Sequence, residues 1–315
     1  MSDLKISLVK FLHYFEHSKT DSFDYKFSSN SSPSPFSRCF AIFGLNLIHK
    51  LSFCSSERLR ICKLIRFDLD NLYLSRKGKG YNMKTDKVYL QLLTFSLTSL
   101  SIIDAFDEDG LEDHCERLIP QNVSKSLDER KVSFGIPQSG NYAMFIAIIL
   151  LHATRFLNKN YCSKIDEWID YHFNHMNRFG FWGNHSSMSH LQFQNGYHQY
   201  EIFDYLGIEN PKSEKAADSV ASLADYRGRF SPYLGGGACY DYDAVAIITM
   251  GGENVVSRYV ELLKNTQTSI LDDQNEDGGF CDSQFIRPRS FRNFLLSLRH
   301  TFDANGLARR ERLRQ

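Results

Sequence analysis

The sequence predicts an all-α chain of about six helical hairpins closed into a single α/α toroid domain, residues 1–315. Three observations predict it. Loops containing glycine and an aromatic recur, with marker residues Phe134, Phe181, Phe230 and Phe280 spaced 47, 49 and 50 residues apart. Each loop leads into a run so apolar that a helix made from it must be buried on nearly every side. Amphipathic stretches with apolar residues at helical spacing separate these runs, and no alternating segments bounded by Asn-Gly or Asp-Gly read as strands. A linear solenoid of hairpins shows a similar repeat, but the units diverge strongly outside their loops, which favours the closed ring.

The elements follow in chain order. Residues 1–20 read as an amphipathic N-terminal helix. Residues 21–48 and 70–103 are two weaker loop-then-helix copies. Residues 132–152, "VSFGIPQSGNYAMFIAIILLH", form the first clear copy. The amphipathic stretch 163–178 leads into the second, residues 178–207. Another such stretch, 214–224, leads into "RGRFSPYLGGGACYDYDAVAIITMGG", residues 227–252. There three glycines supply a tight turn and the apolar run after Asp243 supplies the inner helix. Residues 254–266 are again amphipathic, and 274–298 begin a last copy. The tail, 299–315, is basic and reads as a solvated helix end.

Composition bounds the function. The chain is 42% apolar and 14% aromatic over 315 residues, ample for a packed core. Lys plus Arg and Asp plus Glu both number 37, so no global charge points to nucleic acid. The seven cysteines are scattered singly, with no zinc-type pair, and no secretory leader pattern opens the chain. A cytoplasmic protein with reduced thiols is the expectation. The longest nearly unbroken apolar run, 143–151, is about half of what a membrane-crossing helix needs. No span is expected, and peripheral membrane contact stays open. Phosphate-loop, dinucleotide-binding, serine-hydrolase elbow and His-Glu-x-x-His motifs are absent from the sequence.

"LDDQNEDGGF", residues 271–280, resembles the Gln-…-Asp-Gly-Gly-aromatic repeat of the squalene cyclase and protein prenyltransferase superfamily. "RGRFSPYLGGGACYDYDAVAII" resembles the start of an inner helix in that superfamily. The likeness runs over roughly residues 21–298 as a pattern, and it implies the toroid fold without one activity. Gln274 and Phe280 then read as architecture that holds neighbouring hairpins in register.

The resemblance also implies roles. Class II terpenoid cyclases carry Asp-x-Asp-Asp-Thr-Ala at this position, and the middle aspartate protonates an isoprenoid double bond or epoxide. Asp243 matches that acid and Asp241 the first aspartate, while Ala244 and Val245 replace the third Asp and the Thr. Prenyltransferase β subunits carry a zinc-binding Asp-x-Cys-Tyr. Here Cys239 and Tyr240 follow Gly237 in place of that Asp, and no metal site is expected. Mg²⁺ would enter only with a diphosphate substrate.

A further cluster, "NGYHQYEIF", brings His198 and Glu201 onto one helical face with Tyr197 and Gln199 beside them. His-plus-carboxylate sets do acid/base work. Asn141 and Tyr142 occupy the corresponding position one hairpin earlier. All of these are expected at one polar mouth of the ring. Arg38 reads either as a counter-charge for an anionic ligand or as a solvent-exposed side chain.

Three readings stay open. The first is an isoprenoid-processing, cyclase-like enzyme with Asp243 as acid. The second is a carbohydrate-active lyase or hydrolase using Asp241, Asp243, His198 and Glu201, with Tyr142, Trp182 and Tyr233 stacking on sugar rings. The third is a non-catalytic toroid that binds a small ligand or peptide. A sealed aromatic tunnel favours the first, an open polar groove the second and a filled interior the third.

Overall fold

A computed structural model describes residues 25–26, 32–78, 80–105, 108–157, 159–184, 186–232, 238–274 and 280, without the side chains of residues 108–110 and 238. Twelve α-helices form among these residues, with one 3-10 turn, Val132–Phe134, and no strand. Gln274 and Phe280 are joined by an isolated antiparallel bridge. The expected N-terminal helix, most of the last hairpin and the basic tail lie outside the described residues.

The chain divides into two compact units. The first comprises Met1–Ser124, Met144–Asp170 and Asn275–Gly279. It contains α1 (Pro35–Leu47), α2 (Ser55–Arg76), α3 (Lys87–Ile103) and α4 (Glu108–Glu116). Ser34 starts α1 with a capping box, its Oγ accepting the Ser37 N–H, and Pro35 sits in the first turn, where its missing donor costs nothing. Asp86 caps α3 by accepting from the Val88 and Tyr89 amides. Both α1 and α2 pack on α3, whose Leu92, Leu93, Leu97 and Leu100 are buried. Long α2 carries no repeat signature, and its last turns occupy residues 70–76, where the sequence suggested a loop. Arg38 is neither exposed nor free for a ligand: it is buried and paired with Asp68 of α2.

The second unit comprises Lys125–Ala143, Tyr171–Gln274 and Phe280–Gln315. The divisions between the units fall inside three helices, α5 (Val123–Glu129), α6 (Ser139–Phe156) and α7 (Cys162–His175). Wholly within the second unit lie α8 (His190–Tyr205), α9 (Ser213–Ala221), α10 (Ala238–Met250), α11 (Glu253–Arg258) and α12 (Val260–Leu271). Helix α10 packs against α8, α9, α11 and α12. It is not buried all round, however: Tyr242 and Thr249 are exposed while Ala244, Ile247 and Ile248 face the core.

Two loops of this unit are built identically. In the first, the Asn177 N–H donates to the Phe181 carbonyl at 2.7 Å, and Asn177 Oδ1 accepts from the Phe179 and Phe181 amides. In the second, the Asp225 N–H donates to the Arg229 carbonyl at 2.8 Å, and Asp225 Oδ1 accepts from the Arg227 and Arg229 amides. Short Asn and Asp side chains favour such turns by bonding nearby amides. The glycine three residues on, Gly180 or Gly228, takes φ +83° or +77°. A Cβ there would come within 2.8 Å of the Ala216 Cβ or the Thr266 amide nitrogen. Glycine is required for both reasons.

This geometry corrects the repeat register. Trp182 is structurally equivalent to Phe230, both buried, and Phe181 is equivalent to Arg229. The aromatic marker of the earlier copy, Phe134, is 62% exposed and plays no matching part. The same Asx-x-x-Gly spacing recurs in sequence at Asn275 and Gly278, outside the described residues.

Candidate functional site

A groove of about 440 Å³ lies between α8 and α10 in the second unit. Tyr197, Glu201, Asp204 and Tyr205 line it from α8; Tyr242, Ala246, Thr249 and Met250 line it from α10. Both sets follow the i, i+4, i+7, i+8 spacing that puts side chains on one helical stripe. The groove is open to solvent, for Tyr205 and Tyr242 are 60% and 63% exposed.

Glu201 is the best-held acidic group in it. The Tyr197 hydroxyl donates to Glu201 Oε1 at 2.7 Å, and His198 Nδ1 lies 3.1 Å from Oε2. The Tyr197 ring meets Tyr242 edge-on, centroids 5.9 Å apart. Burial and the Glu201 charge raise the Tyr197 phenol far above its ordinary range, so it acts as a donor and not as a base. Asp243 follows Tyr242 on α10. Burial, then the charges of Glu201 and Asp241, hold its carboxyl well above the usual carboxylate range. The Asp243 carboxyl on α10 thus lies within electrostatic reach of hydrogen-bonded Glu201 on α8, although Asp243 is not itself among the residues that line the groove.

Asp241 does not join this set. Two residues apart on a helix, it and Asp243 point to different faces. Asp241 is completely buried, and its Oδ1 accepts the Phe230 amide at 2.9 Å. Its Oδ2 lies 2.9 Å from Arg229 Nε, whose N–H does not point along that line, so the contact is ionic and not a directed hydrogen bond. Arg229 also pairs with Asp273 at 2.8 Å. Two buried carboxylates share one guanidinium. Burial, with Asp273 and Asp225 adding to it, outweighs the Phe230 amide and Arg229 and pushes the Asp241 carboxyl up to about 6. This residue locks the Asp225 loop and the end of α12 to the first turn of α10.

The remaining expected site residues scatter, because aromatic and amide side chains serve the core as readily as a ligand. Trp182 is buried and its indole N–H donates to the His172 carbonyl at 2.9 Å; it is packing, not a sugar platform. Tyr142 pairs its hydroxyl with Ser126 at 2.9 Å beneath the Arg130 guanidinium. Asn141 is half-buried in the first turn of α6. Gln199 is buried. Tyr240 packs near Phe193, and Cys239 is exposed. None of these six lines the groove. Tyr233 lies outside the described residues. The site therefore runs along the bodies of α8 and α10, not around the starts of several helices. Asp204, Tyr205, Tyr242, Ala246, Thr249 and Met250 were missed by motif reading, although the helical stripe extended from Tyr197 reaches Asp204 and Tyr205, and the stripe that starts at Tyr242, between the two aspartates, reaches the other three.

Among the described residues no group of three or more His, Cys, Asp or Glu side chains is arranged to hold a metal ion. None of the described helices is long and apolar enough to cross a membrane. No protein-family model matches the chain, and no curated protein matches it either.

Proposed function

We propose that the α8–α10 groove is an acid/base site acting on glycans, with Asp243 as proton donor and Glu201 as the partner carboxylate. The observation that carries this reading is the pairing itself. Burial and the Glu201 charge raise the Asp243 carboxyl, and Glu201, which Tyr197 and His198 orient, lines an exposed groove with three tyrosines. Paired carboxylates in unlike environments are the usual equipment for glycosidic bond cleavage. In that chemistry Asp243 gives its proton to the departing glycosidic oxygen, and Glu201 acts as nucleophile or activates water. Tyr205 and Tyr242 offer ring faces to sugars. Among the described residues the lining holds Glu201 and Asp204 but no Lys or Arg, which disfavours uronate-cleaving lyase chemistry, where the substrate carboxylate needs a cation.

The test is product formation from a panel of neutral and amino oligosaccharides, beside Glu201→Gln and Asp243→Asn. Turnover that falls about 10²-fold or more in either variant supports the assignment. Turnover unchanged in both variants, or no turnover and no binding by folded protein, overturns it.

A second reading keeps Asp243 as the acid of a cyclase-like reaction on an uncharged linear isoprenoid or its epoxide, within the toroid fold that the repeat suggests. Its desolvated carboxyl favours this; the solvent-exposed groove opposes it, because such cations need water kept out. Cyclic products that vanish in Asp243→Asn would establish it in place of the glycan reading.

A further inference from the structure

The groove has a charge character that glycan cleavage alone leaves unused. Its described lining supplies three tyrosines and two carboxylates and no basic side chain. Glu201 is engaged by Tyr197 and His198. Asp204 is different: it is exposed, it lies one helical turn beyond Glu201 on the same stripe, and among the described residues no side chain pairs with it. Its neighbours Tyr205 and Tyr242 keep more than half their surface open to solvent. An unpaired carboxylate beside accessible aromatic faces attracts an organic ammonium group twice over, through Coulomb attraction and through the ring quadrupole. An anionic ligand meets only repulsion there.

We infer that Asp204 and the flanking tyrosines form a subsite for the protonated amine of an amino sugar. The substrate class is then a glycan carrying free amino groups. This rests on the glycan reading of the groove and narrows it. Glu201 and Asp243 address the bond to be broken, and Asp204 addresses the substituent that selects the sugar.

The experiment is calorimetric binding to the full chain of four probes: a short β-linked glucosamine oligomer, its N-acetylated counterpart, a glucose oligomer of the same length, and spermidine. The glucosamine oligomer is expected to bind about tenfold more tightly than the acetylated one, with an advantage that shrinks at high salt. Asp204→Asn, an exposed change whose folding is checked by an unaltered melting curve, should remove most of that advantage and leave the acetylated oligomer unaffected. Tyr205→Leu should weaken every oligomer.

Equal binding of all three oligomers, insensitive to Asp204→Asn, overturns the amine subsite and leaves the glycan reading standing. Spermidine binding lost in Asp204→Asn, with no oligomer bound, supports the cation site and overturns the glycan reading. No binding of any probe to protein with a normal melting curve overturns both.

Discussion

Asp241→Asn should change how the stability of this protein depends on pH, in a direction opposite to that of an ordinary ion-paired aspartate. The carboxyl is completely buried, and that burial, with the Asp273 and Asp225 charges adding to it, pushes it up from 3.8 to about 6 against the opposing pull of the Phe230 amide and Arg229. Between those two values the folded chain holds more proton on Asp241 than the unfolded chain does. Stability must therefore fall as pH rises through that window, and above it the cost is fully present. The rise from 3.8 to about 6 corresponds to about 3 kcal/mol. Asparagine keeps an acceptor for the Phe230 amide and leaves Arg229 paired one-to-one with Asp273. The assay is urea unfolding of wild type and variant from about pH 4 to about pH 8. The variant should gain about 3 kcal/mol relative to wild type across that range. Asp243, raised in the same direction, contributes to both proteins and largely cancels in the difference, less the part of its own shift that Asp241 causes. A stability difference that stays flat with pH would refute the reasoning, for Asp241 would then carry the same proton occupancy folded and unfolded.

Two further outcomes follow from the same unit. Arg229→Met should destabilise by about 3–5 kcal/mol at neutral pH, since it removes the guanidinium that pairs with buried Asp241 and Asp273; thermal melts should recover part of this in acid. Gly140→Ala should cost more than about 3 kcal/mol, because the new Cβ would sit 1.8 Å from the Asn195 carbonyl oxygen where α6 begins against α8. Gly78→Ala, with only the Arg76 carbonyl at 4.0 Å, should stay within about 0.5 kcal/mol and serves as the control.

Helix order and type were legible because they rest on local signals. The amphipathic stretches 163–178 and 214–224 became α7 and α9, and the glycine-led run after Gly237 became α10. Register was harder. Asn177 and Asp225 do the same work 48 residues apart, as the matching hydrogen bonds to residues 181 and 229 show. The eye is drawn instead to Phe181 and Phe230, which are offset by one. A hydrophobic marker can move by a residue when its role is only to fill space, whereas a turn built on an Asx side chain and a left-handed glycine cannot. In the site, His198, Glu201 and Tyr197 were legible from spacing on one helix. Asp241 was not, since its fate depends on Arg229 and Asp273, which are distant in sequence and met only after folding. Trp182 misled for the same reason: an aromatic side chain reads alike in a core and in a ligand site until its neighbours are known.

The glycine loops also set a timetable. The Gly228 carbonyl receives its bond from Thr266 Oγ1, 38 residues later in the chain, and Ser269 closes on the Arg227 carbonyl. The earlier loop waits likewise for Lys212, whose Nζ donates to the Met176 and Asn177 carbonyls. Each loop leans on a helix that the ribosome has not yet made when the loop emerges. At about 5–20 residues per second, the Asp225 loop stands without its partner for roughly two to eight seconds. During synthesis the second unit must therefore close from its N-terminal side onward. Until the later helix arrives, the Arg227 and Gly228 carbonyls lack the partners they have in the folded unit.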